Sequence, residues 1–148
     1  MKTFIFETDT WIPATIDEVF NFFSDARNLD TLTPPLLKFK ILTLDPIVMQ
    51  VGTLIDYKLK IRGIPVTWQS EITVWENPHK FIDEQRKGPY RSWVHEHQFV
   101  EDSEGTYVKD IVKYSVWGGS LINKLLISRD LNKIFNYRKE ALSRVFGS

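Results

Sequence analysis

Hydrophobic residues along the chain follow the period of β-strands in some segments and the period of helices in others. Residues 2–12 place apolar or threonine side chains at every second position, which predicts a first strand. The same period of two returns between about residues 36 and 117, interrupted by turn residues such as Gly63, Pro78 and Gly105. This region therefore predicts six further strands joined by turns.

Helical spacing occurs between these strands and again at the C-terminal end. Thr15 and Glu18 match a capping box, and the apolar residues after them predict a short amphipathic helix that ends near Ser24. A second short helix is predicted over residues 28–32. Residues 120–146 predict one long helix of roughly 40 Å. Its stripe facing the protein consists of Leu131, Phe135, Arg138, Leu142 and Val145, with Ile134 and Ala141 beside it.

The order of these elements predicts an α+β fold of the helix-grip type. In this fold a curved antiparallel sheet of about seven strands wraps around the long C-terminal helix, and two short helices follow the first strand. Only the last helix is long enough to cover the sheet, so we expect a cavity between them, lined by aromatic residues. No linker or repeat divides the 148 residues, and residues 1–148 are predicted to form one domain.

Composition and charge exclude several classes of function. Nineteen basic residues balance nineteen acidic ones, so the sequence indicates no nucleic-acid partner. The absence of cysteine excludes disulfides and a thiolate nucleophile. No apolar run reaches the roughly 18 residues of a membrane span, and Glu7 comes too early for a signal peptide. We therefore expect a cytoplasmic monomer or homodimer without integral membrane association.

The most distinctive segment is the predicted strand around residues 93–99. Side chains alternate along a strand, so Trp93, His95, His97 and Phe99 share one face. Two of the three histidines of the chain thus lie between two large aromatic residues. Such a face suits the wall of a pocket that is mostly apolar and carries a few polar groups.

The two histidines have three possible roles. They could ligate a metal with Asp83 or Asp110, but no histidine follows His97, and a long helix covers the sheet, so we expect neither a metal nor a cofactor. They could instead be hydrogen-bonded to side chains on adjacent strands. As a third role, they could anchor a ligand or act as a general acid–base pair.

The sequence leaves open where the charged residues near this face point. Asp83 and Asp110 either point inward and pair with the histidines, or lie at strand ends in solvent. Arg138 interrupts an apolar stripe, and it could reach an acid group of a ligand or an internal carboxylate. We favour a third interpretation for Arg138, an ion pair at the cavity rim.

The chain resembles the START-like, or SRPBCC, superfamily, which includes polyketide cyclases/dehydrases and lipid-transfer proteins. The motifs are similar to those of a bacterial branch of ligand-binding SRPBCC proteins. The resemblance covers nearly the whole chain and rests on Ile12-Pro13-Ala14 through Val19-Phe20, Asn28-Leu29, Leu32-Thr33-Pro34, Gly52, Phe81-Ile82-Asp83-Glu84-Gln85, Gly88-Pro89-Tyr90, Trp93-Val94-His95-Glu96-His97-Gln98-Phe99 and Ile134-Phe135-Asn136-Tyr137-Arg138. It implies a helix-grip fold but not a particular ligand, because the superfamily hosts carriers, cyclases, dehydratases and regulators.

We therefore predict a carrier or sensor that binds a small hydrophobic or amphipathic molecule between the sheet and the C-terminal helix. The alternative is a cyclase- or dehydratase-like lyase or isomerase with a histidine base, for which the catalytic candidates are His95, His97, Asp83 and Asp110. A protein–protein interaction module is a weaker alternative. The predicted ligand-binding residues are Phe23, Leu32, Pro35, Tyr57, Trp68, Gln85, Trp93, His95, His97, Asp110, Tyr114, Leu131, Phe135 and Arg138.

Overall fold

A seven-stranded antiparallel sheet forms the centre of the computed structural model, which describes residues 2–147. The strand order across the sheet is β1-β7-β6-β5-β4-β3-β2. The strands are β1 (Phe4–Ile12), β2 (Lys40–Ile41), β3 (Leu54–Ile61), β4 (Ile64–Glu76), β5 (Lys80–Lys87), β6 (Ser92–Glu101) and β7 (Thr106–Ser115). From β3 to β7 each strand pairs with the next in sequence, and β1 closes the far edge against β7.

The helices lie where the sequence predicts them. They are α1 (Ile16–Ser24), α2 (Asn28–Leu32), α3 (Gly119–Ile122) and α4 (Ser128–Phe146). The Thr15 hydroxyl accepts a hydrogen bond from the Glu18 backbone N–H at 3.2 Å, as the capping box requires. One wide π-helical turn, Asn123–Ile127, joins α3 to α4, so the predicted long C-terminal helix is present with an irregular first third.

The predicted fold class is confirmed, and two local predictions are wrong. The alternation in residues 37–41 predicts a strand, but Pro35–Leu37 forms a 3-10 turn that Lys38 ends at a left-handed φ of 51°, leaving only the two residues of β2. Val145 is 44% exposed rather than buried. Phe146 packs on the core instead, because it lies a full helical turn after Leu142.

Two apolar clusters hold α4 against the sheet, one toward each end of the helix. The first contains the buried face of α1, where Phe20 packs its ring edge-on against Trp75 and Phe99 at 5.0 and 5.1 Å. The second contains Leu131 and Phe135 of α4. No helix within residues 2–147 is both long and apolar enough to cross a membrane.

Candidate functional site

A cavity of about 680 Å³ lies between the sheet and the C-terminal helix. This volume is within the roughly 300–1,000 Å³ range of small-molecule sites. Its wall is mostly apolar, and its aromatic members are Phe23, Phe39, Tyr57, Trp68, Phe81, Tyr90, Trp93, Trp117, Phe135 and Tyr137. The aromatic rings pack against one another. Tyr57 stacks on Trp68 with ring centroids 5.8 Å apart, and Trp68 packs edge-on against Trp93 with centroids 5.4 Å apart.

An ion pair bridges the sheet and the helix at one part of the cavity wall. Arg62, in the turn between β3 and β4, donates to both carboxylate oxygens of Asp130 on α4, at 2.8 and 3.2 Å. Arg62 and Asp130 both line the cavity, and their charges neutralise each other. The two residues are 68 positions apart in the sequence, so this pair joins the tip of the sheet to the helix.

The polar part of the wall is centred on β6, where both histidines point inward as predicted. His95 and His97 are 7% and 3% exposed, and their rings stack with centroids 3.7 Å apart. The antiparallel register places His95 opposite Asp83 of β5 and His97 opposite Asp110 of β7. Neighbouring strands therefore supply one carboxylate on each side of the histidine pair.

Hydrogen bonds connect these side chains into one network. His97 Nε2 lies 2.6 Å from Asp83 Oδ2, and His95 Nε2 lies 2.8 Å from Asp110 Oδ1. Arg138 Nη2 on α4 lies 3.2 Å from Asp110 Oδ1 and 3.4 Å from His97 Nδ1. These five residues form the site that we call the polar cluster.

Burial and neighbouring charges determine the protonation of the cluster. Burial alone would raise the pKa of Asp110, but the Arg138 guanidinium and His95 outweigh it and hold that pKa well below its usual range. Burial would also raise the pKa of Asp83, but its hydrogen bond to His97 together with the neighbouring charges of the histidines and Arg138 lowers that pKa. Burial and the neighbouring His95 lower the pKa of His97 to about 4. Both carboxylates are therefore ionised and His97 is neutral at neutral pH.

Ionised carboxylates fix the tautomers of both imidazoles. A carboxylate only accepts hydrogen bonds, so Nε2 of His95 and of His97 must carry the proton and donate. Nδ1 of His97 is then an acceptor, which agrees with the Arg138 contact. Nδ1 of His95 has no hydrogen-bond partner within residues 2–147.

Only two side-chain atoms in the described part of the chain are both sealed from solvent and without a partner, Trp68 Nε1 and Arg138 Nε. Since His95 Nδ1 is not one of them, it is open to the cavity that His95 lines. Asp83 Oδ1 is open to the cavity for the same reason, because among residues 2–147 this carboxylate accepts one hydrogen bond, from His97 to Oδ2. The cluster thus presents two free acceptor atoms to the cavity.

The cluster also contains the donor set that the sequence suggested for a metal. Asp83, His95 and His97 each offer a ligand atom within 4.8 Å of the others. However, Nε2 of each histidine donates to a carboxylate, and His97 Nδ1 faces the Arg138 guanidinium at 3.4 Å. A divalent ion would have to displace these bonds beside a fixed positive charge, so the arrangement disfavours a metal.

The structure brings most of the predicted site residues to the cavity wall. Those on the wall are Phe23, Tyr57, Trp68, Asp83, Trp93, His95, His97, Leu131, Phe135 and Arg138. Arg138 forms an ion pair with the internal carboxylate of Asp110, which is one of the two alternatives that the sequence left open, and not the favoured ion pair at the cavity rim.

Three predicted residues do not line the cavity because of their local structure. Leu32 is 3% exposed and packs into the apolar cluster around α1. Pro35 is exposed in the 3-10 turn, where Pro34 and Leu36 line the cavity instead. Gln85 bonds to both backbone groups of Tyr90 and so fixes the turn between β5 and β6.

Two more predicted residues lie behind the wall. Asp110 is 3% exposed and contacts the cavity only through His95 and Arg138. Tyr114 is buried in the second apolar cluster, and its hydroxyl donates to Asn123 Oδ1 at 2.6 Å. Both side chains point inward, but the layer of larger groups in front of them separates them from the cavity.

Sequence reasoning missed several residues of the wall. Ser70 shares the inward face of β4 with Trp68 and bonds the Tyr57 hydroxyl at 3.2 Å, so the alternation of β4 could have identified it. Tyr90 lies in a turn and Asp130 on the side of α4, and no periodic pattern predicts their positions.

The family of the chain follows from a comparison with family models. The model described as "Polyketide cyclase / dehydrase and lipid transport" matches residues 12–143. The chain therefore belongs to this family, and the resemblance to the START-like superfamily is confirmed. Proteins of this superfamily bind hydrophobic ligands, and the fold and family place the chain in that general class. No curated protein sequence matches the chain.

Solved structures share the fold over nearly the whole chain. A protein from Chromobacterium violaceum has a TM-score of 0.77 at 12% identity, with 98% of this chain and 99% of that one covered. Major latex-like protein 151 of Panax ginseng has a TM-score of 0.72 at 14% identity, with 97% of each chain covered. A START superfamily protein from Mycobacterium smegmatis has a TM-score of 0.71 at 12% identity, with coverages of 95% and 98%. At these identities the likeness concerns the fold alone.

The low pKa of His97 predicts a pH dependence of stability. In the unfolded chain a histidine takes up its proton near pH 6.5, whereas folded His97 does so only near pH 4. Protons therefore favour the unfolded chain as the pH falls through this window, and the free energy of unfolding drops by about 3 kcal/mol. Urea unfolding at pH 7.5 and pH 4 measures this loss.

The matched variant is His97→Gln, which keeps a polar side chain of similar size but cannot titrate. It should lose much of the pH dependence between pH 6.5 and 4 while the loss that is due to carboxylates below pH 4 remains. An unchanged slope in His97→Gln would show that this imidazole is not the titrating group.

Proposed function

We propose that the protein binds a small amphipathic molecule in the cavity between the sheet and the C-terminal helix, as a carrier or a sensor. The observation that carries this proposal is a cavity of about 680 Å³ with an aromatic wall and one polar cluster. Apolar walls contribute affinity in proportion to buried area, at roughly 25 cal/mol per Å² before the costs of association. A few fixed polar groups then orient the molecule.

The position of the polar cluster supports an amphipathic rather than a purely apolar ligand. Asp83, His95 and His97 line the cavity, and Tyr57 and Ser70 add two hydroxyl groups on the neighbouring strands. The Asp83 charge contributes to the raised pKa of Tyr57, after burial, so the Tyr57 hydroxyl lies within electrostatic reach of the cluster. A purely apolar ligand would cover these groups without replacing their hydration.

A fluorescence titration with N-phenyl-1-naphthylamine, an uncharged dye that brightens in apolar surroundings, tests the proposal. The protein should bind the dye in a saturable way with one site per chain. Ile134→Trp places a large ring at the cavity wall and should weaken binding at least about tenfold, because it removes space for the dye.

Val145→Trp is the matched control, since Val145 lies on the same helix but is 44% exposed and away from the cavity. This variant should bind the dye as the wild type does. Equal binding by Ile134→Trp and Val145→Trp, or no binding by the wild type, would contradict the proposal.

His95 supports a second candidate function, proton abstraction in a cyclase- or dehydratase-like reaction. Its Nε2 is held by Asp110 while Nδ1 is open to the cavity, which is the arrangement of a general base and its orienting carboxylate. Nδ1 would take a proton from carbon α to a carbonyl, and the electron pair of that C–H bond would pass to the carbonyl oxygen as an enolate. The protonated Tyr57 hydroxyl lines the cavity and can donate to that oxygen when Ser70 donates to Tyr57, whereas Tyr114 lies behind the wall and donates to Asn123.

Deuterium exchange at the α-carbon of 2-tetralone, followed by NMR, tests this second function. The wild type should accelerate exchange over buffer, and His95→Gln should lose most of the acceleration while the dye still binds. Bound 2-tetralone that exchanges at the buffer rate, or full exchange activity in His95→Gln, would contradict a role for His95 as the base.

A further inference from the structure

We propose that the polar end of the ligand is an amine in its cationic form, and that the cavity discriminates against carboxylates. This inference rests on the proposed function, because it concerns the chemistry of the molecule in the same cavity. It follows from the two free acceptor atoms of the polar cluster and from the balance of charge around them.

The free atoms of the polar cluster require donors from the ligand. His95 Nδ1 and Asp83 Oδ1 are open to the cavity, and both only accept hydrogen bonds once the histidine tautomers are fixed. Asp83 lies opposite His95 in the register of β5 and β6, and one polar atom of each side chain lies within 4.8 Å of the other, so one nitrogen with several N–H groups is of a size to contact both side chains. A carboxylate has no hydrogen to donate to either atom.

The charges inside the cavity favour a cation. Asp83 and Asp110 are two carboxylates, and the Arg138 guanidinium, 3.2 Å from Asp110 Oδ1, is the one fixed positive charge among them. Asp130 is already paired with Arg62. The remaining basic residue of the wall, Lys133, is exposed, so solvent screens its charge. One negative charge at Asp83 therefore remains without a partner of fixed charge.

The Arg138 charge is already balanced inside the protein. Asp110 accepts from its Nη2, and the rings of Phe23 and Phe135 lie 5.1 and 5.8 Å from its Cζ. Its unpartnered Nε is sealed from solvent, which leaves Nη1 for a ligand. A ligand carboxylate would therefore meet the unpaired charge of Asp83 while sharing a guanidinium that Asp110 already neutralises.

The aromatic wall suits an ammonium group as well. Trp93 and Phe135 both line the cavity, and their ring centroids lie 6.2 and 5.6 Å from that of His95. Aromatic faces attract a desolvated cation and repel an anion. Hydrogen bonding, net charge and the ring faces thus predict the same order of affinity for one hydrocarbon chain: amine first, alcohol second, carboxylate last.

The test is displacement of bound N-phenyl-1-naphthylamine by decylamine, 1-decanol and decanoate, which share one chain length. The titrations are made at pH 8, above the ordinary range of histidine titration, and at moderate salt. Decylamine should displace the dye at least about tenfold more tightly than decanoate, with 1-decanol between them. Decanoate binding as tightly as decylamine, or more tightly, would overturn the inference.

Asp83→Asn removes the unpaired charge and keeps the shape of the side chain. In this variant the ratio of decylamine to decanoate affinity should fall to about threefold or less. Asp9→Asn, on the exposed face of β1, is the control and should keep the wild-type ratio. An unchanged ratio in Asp83→Asn would also overturn the inference, and the wild-type ratio decides the question if this variant does not fold.

The outcomes separate this inference from the proposed function. If neither the dye nor 1-decanol binds the wild type, the proposed function fails and the inference fails with it. If both bind but the amine has no advantage, only the inference fails. Displacement of decylamine by equimolar zinc chloride would assign the acceptor atoms to a metal ion and would likewise overturn the inference.

Discussion

The Asp110 carboxylate is the group on which the rest of the site depends. It is 3% exposed, and a buried ionised carboxylate persists only when charged or hydrogen-bonding groups replace its lost hydration. Arg138 supplies the charge from the helix and His95 supplies an N–H from the sheet, both at Oδ1. One buried atom therefore fixes the position of α4 across the sheet and the tautomer of the imidazole that faces the cavity.

The cavity lies between the two apolar clusters, at the level of the ion pair between Arg138 on α4 and Asp110. Phe20 and its aromatic neighbours fill one end of the space between helix and sheet, and Leu131 and Phe135 fill part of the other. Between them, large rings such as Trp68 and Trp93 pack against each other along the sheet and line the cavity. The Arg62–Asp130 pair then holds the tip of the sheet to α4 beside this space. A rigid aromatic wall and a fixed polar cluster are what a preorganised small-molecule site requires.

Local periodicity made the fold and the centre of the site predictable from sequence. Alternation placed His95 and His97 on one face of β6, and the helical stripe placed Arg138 opposite them. The carboxylates that pair with these histidines were less predictable, because their positions depend on the register between neighbouring strands. Asp83 faces the cavity, whereas Asp110 lies one layer behind it. The prediction that Gln85 binds the ligand was wrong for a related reason. Its amide lies on β5 but forms hydrogen bonds with the backbone of Tyr90 and does not line the cavity. The Arg62–Asp130 pair joins distant segments and leaves no local signal.

Ionised carboxylates hold both imidazoles in the Nε2–H form and leave His95 Nδ1 as an acceptor in the cavity. Nitrogen-15 NMR of the histidine rings distinguishes protonated from unprotonated ring nitrogens and tests this claim most directly. At pH 8 we expect a protonated Nε2 and an unprotonated Nδ1 for both His95 and His97, with couplings across the bonds to Asp110 and Asp83. An Nδ1–H tautomer in either ring would contradict the claim.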